Sequence, residues 1–334
     1  MKILGIETTC DETSAAVVSE GPRLLGQVVL SQASRHGPFG GVVPEIACRA
    51  HVETLTQVIE KTLLKSGVRP RDLSGIAVAY RPGLIGALLV GITTAKSLAW
   101  AWQLPLLGVD HLEAHLEAPA LAGHTLNPPF LGVVLSGGHT DIYRVTEDRR
   151  ERLGSTRDDA IGEAFDKVAA ILGLGYPGGP ALEREAAGGD PRRVSLPRTL
   201  LSSESLDFSF SGIKTAVLYL WRGQDAKSPG PVPGAPKRAD VAAGFQAAVS
   251  DVVVEKLSRA LRRTGLRRVV CGGGVTANQT LRKRLEDGLA DEVDELVFPP
   301  PELATDNGAM IAAVGLRKLA RGEMASLDLE AEST

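Results

Sequence analysis

Only three cysteines occur in the 334 residues, Cys10, Cys48 and Cys271. They lie far apart, so neither a disulfide framework nor a Cys-x-x-Cys metal site is available. An excess of one charge is lacking too. The 37 basic and 40 acidic residues leave a net charge of −3, so no global field draws the chain to nucleic acid, and any RNA contact must be a local patch. No solenoid repeat appears. The one long apolar stretch, residues 83–102, holds Thr93, Thr94, Lys96 and three glycines, which makes it a core helix rather than a membrane span. The opening run reaches Glu7 before the apolar core of a signal sequence could form, and the expected location is cytoplasmic. The length suggests two domains, each able to bury its own core.

Two of the six histidines, His111 and His115, stand four residues apart on a helical pattern. Positions i and i+4 share a helix face, so the two imidazoles offer half of a transition-metal site. The zinc-peptidase pattern His-Glu-x-x-His is absent, because Glu113 follows His111 by two residues and points about 200° away. The spacing alone equally fits a polar surface helix. Asp306, in Thr305-Asp306-Asn307 before an apolar helix, reads either as an N-cap or as the missing ligand.

Residues 2–6 and 15–18 read as a hairpin around Glu7-Thr8-Thr9-Cys10-Asp11-Glu12-Thr13-Ser14, whose acids and hydroxyls suggest a ligand-facing loop. A strand over 28–31, a helix over 44–66, a strand over 73–79, the helix up to Trp102 and a strand over 104–109 complete the first third. That order matches the ribonuclease-H-like unit of actin, sugar kinases and heat-shock ATPases.

The layout then restarts: strand 130–135, the glycine turn Ser136-Gly137-Gly138-His139-Thr140 and a returning strand 141–145. A helix over 158–172, a glycine-proline loop over 173–180 and an irregular stretch over 197–211 follow. Residues 223–237 read as an exposed insertion too poor in apolar residues to pack. A long helix over 239–264 leads to strand 269–271 and Gly272-Gly273-Gly274-Val275-Thr276-Ala277-Asn278, a turn that opens another helix. Such a turn suits a nucleotide, although it has neither the P-loop lysine nor Gly-x-Gly-x-x-Gly spacing. The expected class is α/β, a duplicated ribonuclease-H-like, actin-like two-domain ATPase fold with a nucleotide cleft between the domains. The expected boundaries are 1–128, 129–325 and a tail, 326–334.

These stretches make the chain resemble the bacterial TsaD (Gcp) family of threonylcarbamoyl transferases that modify tRNA. The resemblance rests on Gly5-Ile6-Glu7-Thr8-Thr9-Cys10-Asp11-Glu12-Thr13, Gly40-Gly41-Val42-Val43-Pro44-Glu45, the surroundings of His111 and His115, and Ser136-Gly137-Gly138-His139-Thr140. It continues through Gly162-Glu163-Ala164-Phe165-Asp166-Lys167, Gly175-Tyr176-Pro177-Gly178-Gly179-Pro180, Phe208-Ser209-Phe210-Ser211-Gly212, Gly272 to Asn278 and Thr305-Asp306-Asn307. Three positions depart from it: Arg81 stands where the family usually has Gly, Asp110 where it usually has another His, and Glu183 where Asp is common.

The resemblance implies one divalent metal, iron or zinc, on His111, His115 and Asp306. It implies that Val134, Leu135, Ser136, Gly137 and Gly138 face acyl or phosphate oxygens, and that Asp166, Gly179, Glu183 and Asn278 line the adenylate. The implied reaction moves the threonylcarbamoyl group from threonylcarbamoyl-adenylate to N6 of the adenosine 3' of the anticodon, in tRNAs reading codons that begin with A, and releases AMP. A TsaB-type paralogue and a TsaE-type ATPase are the implied partners, with no membrane. The alternative is an ATP-hydrolysing or kinase-like member of the fold. Arg149, Arg150, Arg152, Arg192, Arg193 and Arg198 are candidate tRNA contacts.

Overall fold

The computed structural model describes residues 1–200, 204–226 and 228–333. Two compact units result: Met1–Leu126 together with Pro299–Thr334, and Asn127–Phe298.

In the first unit β1 (Lys2–Glu7), β2 (Glu12–Ser19) and β3 (Arg23–Ser31) form an antiparallel meander. Helix α1 (Pro44–Ser66) leads to β4 (Gly75–Arg81), α2 (Ile85–Trp102), β5 (Leu106–Asp110) and the short α3 (His111–Glu117). β4 pairs parallel to β1, and β5 parallel to β4, giving the order β3-β2-β1-β4-β5. Because β1, β4 and β5 run the same way, Glu7 and His111 emerge at the same end of the sheet. By length and composition α2 could cross a membrane; here it packs on β4 and α1 and buries Ala87, Leu88, Ile92, Ala95 and Ala99.

The second unit repeats the scheme. β6 (Phe130–Leu135), β7 (Thr140–Val145) and β8 (Arg150–Ser155) form a meander, followed by α4 (Ile161–Leu172), α5 (Gly178–Ala186), α6 (Ser211–Arg222), α7 (Arg238–Thr264), β9 (Arg268–Gly272), α8 (Gln279–Leu289) and β10 (Glu295–Val297). The order β10-β9-β6-β7-β8, with β9 parallel to β6 and β10 to β9, is that of the first sheet. The expected duplication is present.

Several expectations are corrected. The chain leaves the second unit at residue 299, not 325, because α9 (Gly308–Ala320) packs on β1, β2, β4 and β5 of the first sheet. Gly5 permits this contact, since a Cβ there would lie 2.2 Å from the Gly308 carbonyl oxygen. Residues 326–333 are no loose tail: Leu329 packs beside Gly108 and Tyr80, and the Glu332 amide donates to the Tyr80 carbonyl. β8 lies in a stretch given no element from sequence, and α5 begins at Gly178, inside the 173–180 stretch expected as a loop. The 223–237 segment folds back, with the Val232 amide donating to the Trp221 carbonyl and Ala235 against the core; Lys227 lies outside the described residues. So do residues 201–203 of the stretch read as irregular.

Candidate functional site

Helix α3 starts where β5 ends. Asp110 caps it, its Oδ1 accepting from the Leu112 and Glu113 amides at 3.0 Å each, which turns the chain sharply enough to aim His111 and His115 to one side. The opposite side is clamped by Arg317 of α9, which pairs with Glu113 and, at 2.6 Å, with Glu117. Glu113 therefore does point away from the histidine face. The two departures Arg81 and Asp110 answer each other: Arg81 Nε donates to Asp110 Oδ2 at 3.2 Å, and its Nη1 to Glu332 at 2.9 Å.

Asp306 completes the histidine face. Asn307, not Asp306, caps α9, with its side chain accepting from the Met310 amide, so the Asp306 carboxylate is released from that duty. Its Oδ1 lies 3.5 Å from His111 Nε2 and 3.2 Å from His115 Nε2. The ligand-type atoms of the three all fall within 4.8 Å of one another. The imidazoles meet edge to face at 4.5 Å.

The electrostatics are those of a buried donor set. His115 is fully buried, and neither of its ring nitrogens has an aligned hydrogen-bond partner among the described residues. Burial and the neighbouring His111 hold it below the usual histidine range. Burial also disfavours a charged His111, but the Glu7 and Asp306 carboxylates outweigh it and hold it well above that range. An unpartnered His115 Nε2 beside His111 Nε2 and a carboxylate is what a divalent cation would satisfy. The residues fit such an ion, and mixed N/O donors suit iron and zinc alike.

The hydroxyl-rich turn serves the scaffold more than a ligand. Thr8 Oγ1 donates to the Ala87 carbonyl, Thr13 Oγ1 and His51 Nδ1 are 2.8 Å apart, and Ser14 Oγ links the Val28 carbonyl to the Gly308 amide.

In the second unit the remaining candidates gather at the carboxyl ends of β6 and β9, the end at which open α/β sheets take ligands. Val134 and Leu135 are fully buried in β6, Val134 paired on one side with Asp141 and on the other with Gly272. Ser136 serves its own turn: its amide donates to the His139 carbonyl at 2.9 Å, and its hydroxyl accepts from the His139 amide at 3.1 Å. That leaves Gly137 and Gly138 as the exposed part of the expected set. Neither has a positive φ, and a Cβ on either would meet nothing within 4 Å; packing does not require glycine there, whereas a close ligand would. Gly162 is required, because its Cβ would lie 2.8 Å from Gly137 Cα.

Asp166, Glu183 and Asn278 are each fixed by hydrogen bonds, and Gly179 lies in the first turn of α5. Asp166 Oδ1 accepts from the Gly178 amide at 2.7 Å, and Glu183 Oε1 from the Gln279 amide at 2.8 Å. Asn278 is the N-cap of α8, with Oδ1 accepting from Leu281 and Nδ2 donating to Gln246 Oε1 at 2.9 Å. The glycine turn Gly272-Gly273-Gly274 thus runs first into a short 3-10 turn, and α8 begins only after Asn278. Gly273, at φ +95°, could carry no side chain beside the Leu135 carbonyl.

Sequence reasoning missed Glu7 and Gln246. Glu7 is fully buried, with Oε2 3.0 Å from His111 Nδ1; only its motif position hinted at a role. The candidate tRNA arginines are mostly engaged within the chain. Arg149 pairs with Glu151, Arg192 and Arg193 with Asp190, and Arg198 with Asp251, while Arg150 lies 4.8 Å over the Tyr143 ring. Burial pushes the Cys271 thiol up to about 12, which removes it as a nucleophile.

Comparison with known proteins bears on all of this. Residues 23–313 match the family model "TsaD: tRNA N6-adenosine threonylcarbamoyltransferase". Curated relatives of that name include one from Sorangium cellulosum, 49% identical over 100% of this chain and 96% of its own length. One from Syntrophotalea carbinolica is 48% identical over 100% and 96%, and one from Thermotoga neapolitana 45% identical over 99% and 98%. Solved structures agree on the fold alone. Component A of (R)-2-hydroxyglutaryl-CoA dehydratase from Acidaminococcus fermentans matches with a TM-score of 0.56 at 16% identity, over 96% of this chain and 99% of that one. Full-length HypF gives 0.61 at 15%, over 97% and 56%. The architecture is actin-like, the ATP-hydrolysing or kinase-like alternative is not favoured, and the chain belongs to the TsaD family of tRNA N6-adenosine threonylcarbamoyltransferases.

Proposed function

We propose that the chain takes the threonylcarbamoyl group from threonylcarbamoyl-adenylate and places it on N6 of the adenosine 3' of the anticodon, in tRNAs reading codons that begin with A, with AMP as leaving group. The observation that carries the reading is the buried triad of His111, His115 and Asp306, whose His115 nitrogens have no aligned partner.

His111, His115 and Asp306 would hold iron or zinc, with two neutral donors and one anionic donor. When bound, such an ion supplies a Lewis acid that makes the carbamoyl carbon more electrophilic and fixes the acyl group in place. Gly137 and Gly138 bring the backbone close to acyl or phosphate oxygens, where amide donors stabilise developing negative charge. Asp166, Gly179, Glu183 and Asn278 receive the adenylate's ribose and base; the Glu183 carboxylate already has one oxygen on the Gln279 amide. The exocyclic amine attacks directly, and no serine or cysteine nucleophile is called upon. His139 is bulkier than the small residues that usually cradle a β- or γ-phosphate, which favours an acyl or α-phosphate group at that turn.

The partner reading rests on α1 and α2. These helices pack together, and Val52, Ile85, Leu89 and Trp100 remain at least half exposed, with Ile85, Leu89 and Trp100 on one stripe of α2. A paralogue of TsaB type would cover that stripe; the TsaE-type ATPase follows from family resemblance, as does a cytoplasmic location.

The test follows AMP from threonylcarbamoyl-adenylate with unmodified tRNA, and ADP from ATP in parallel, with both partners present. The expected result is AMP matched by modified adenosine, loss of both in Asp306→Ala, and slow ADP formation throughout. Fast ADP formation untouched by Asp306→Ala, with no AMP release, would refute the proposal.

A further inference from the structure

The triad is not symmetric. Behind His115 there is nothing: its Nδ1 is buried and unpartnered among the described residues. Behind His111 stands Glu7, with Oε2 3.0 Å from Nδ1 and its side chain fully shielded from solvent. Among the described residues Thr9 Oγ1 also lies near that nitrogen, at the longer distance of 3.4 Å.

Glu7 itself is held from both ends. Its backbone is the last residue of β1, paired in register with Ser14. Its other carboxylate oxygen, Oε1, accepts from the Thr9 amide at 2.5 Å. The Thr8-Thr9 backbone that closes this loop is gripped by α2 and the turn before it. Thr8 Oγ1 donates to the Ala87 carbonyl at 2.9 Å, and the Leu84 amide to the Thr9 carbonyl at 2.9 Å. Glycines make that grip possible, since a Cβ at Gly91 would lie 2.3 Å from Thr8 Oγ1 and one at Gly83 would lie 2.8 Å from the Thr9 oxygen. The carboxylate is therefore fixed before any ligand arrives.

We infer that Glu7 is a positioning residue of the metal centre: it keeps the proton of His111 on Nδ1, turns Nε2 with its lone pair towards Asp306, and contributes the second negative charge that a divalent ion needs in this buried place. This role of Glu7 rests on the reading of the triad as a metal site. A carboxylate accepting from the far nitrogen of a ligating imidazole fixes its tautomer and orientation and makes the near nitrogen a better donor. Charge points the same way. Asp306 alone would leave a dication and two neutral imidazoles with a surplus of one positive charge out of water, and Glu7 removes it. By the same geometry His111 is the anchoring ligand and His115 the more loosely oriented one.

The experiment is a chelator-competition titration of zinc on the full chain, for wild type, Glu7→Gln and Glu7→Asp, with circular dichroism and thermal melting of the metal-free forms. Gln keeps the shape but has one acceptor oxygen for the two donors that Glu7 serves and carries no charge; Asp keeps the charge and withdraws it by one methylene. We expect zinc affinity to fall about 10- to 100-fold in Glu7→Gln, the range typical for loss of such a partner, and by less in Glu7→Asp, which also carries the test should Glu7→Gln not fold. Proton–nitrogen spectra of the zinc-loaded, histidine-labelled protein should show a strongly hydrogen-bonded, slowly exchanging His111 Nδ1–H in wild type and a shifted, faster-exchanging one in Glu7→Gln, a change that lost packing elsewhere would not produce. Folded variants that bind zinc within twofold of wild type, with an unchanged His111 Nδ1–H resonance, would overturn the role of Glu7. A wild type that binds no zinc or iron would instead overturn the metal reading itself.

Discussion

Asp158 accepts four hydrogen bonds, from the hydroxyls of Ser209 and Ser211 and the amides of Phe210 and Ser211. Partial burial works against its charge, yet these donors hold its carboxyl below the usual aspartate range. A depressed carboxyl contributes stability that is present above the unfolded value, near 3.9, and is lost as pH falls through the folded value. Replacing Asp158 by Ala should therefore destabilise the chain by about 1 kcal/mol at pH 7, a figure reduced for solvent exposure. Urea unfolding at a series of pH values from 7 downwards checks this, and the gap between the two proteins should narrow as pH falls below the unfolded value. Periodicity had assigned Asp158 to the helix that in fact begins at Ile161, because a local pattern does not register partners some 50 positions away. Glu7 was illegible for the same reason, being 104 positions from His111. The spacing of His111 and His115 was legible because helix geometry places i and i+4 together, and the family resemblance supplied Asp306.

Among the elements, α3 has seven residues, too few to persist on local hydrogen bonds. Its cap and the Arg317 clamp hold it. Burial already pushes the Glu117 carboxyl up, with Arg317 opposing, so Arg317→Met would leave that acid without its counter-charge. The expected cost is about 2 kcal/mol, below the 3–5 of a fully buried pair because Arg317 is partly exposed. Thermal melting read against the wild type measures it, and zinc affinity should weaken in the same variant. Helices with a clear apolar face, such as α1 and α7, were legible. β8 was not: Arg150, Glu151 and Arg152 on an edge strand break the alternation that marks a half-buried strand. Nor was α5, because its Gly-Gly-Pro opening reads as a loop, although Gly178 is there to clear Asp166, whose Cα a Cβ would approach to 2.5 Å.

For the whole molecule, duplication was legible because strand, turn and strand recur after residue 128 with the same apolar rhythm. The return of residues 299–333 to the first unit was not, since a helix as apolar as the first nine residues of α9 does not say which sheet it covers. If the exposed stripe of α2 seats a paralogue, Ile85→Asp with Leu89→Asp should abolish co-purification with the TsaB-type partner, while metal content stays at the wild-type level; size-exclusion chromatography of the mixed proteins decides this. The central claim is tested most directly by elemental analysis of the purified chain and of Asp306→Ala, both prepared with iron and zinc available. The account predicts about one iron or zinc per wild-type chain and little in the variant, with unchanged circular dichroism. Full metal content in a folded Asp306→Ala would contradict it.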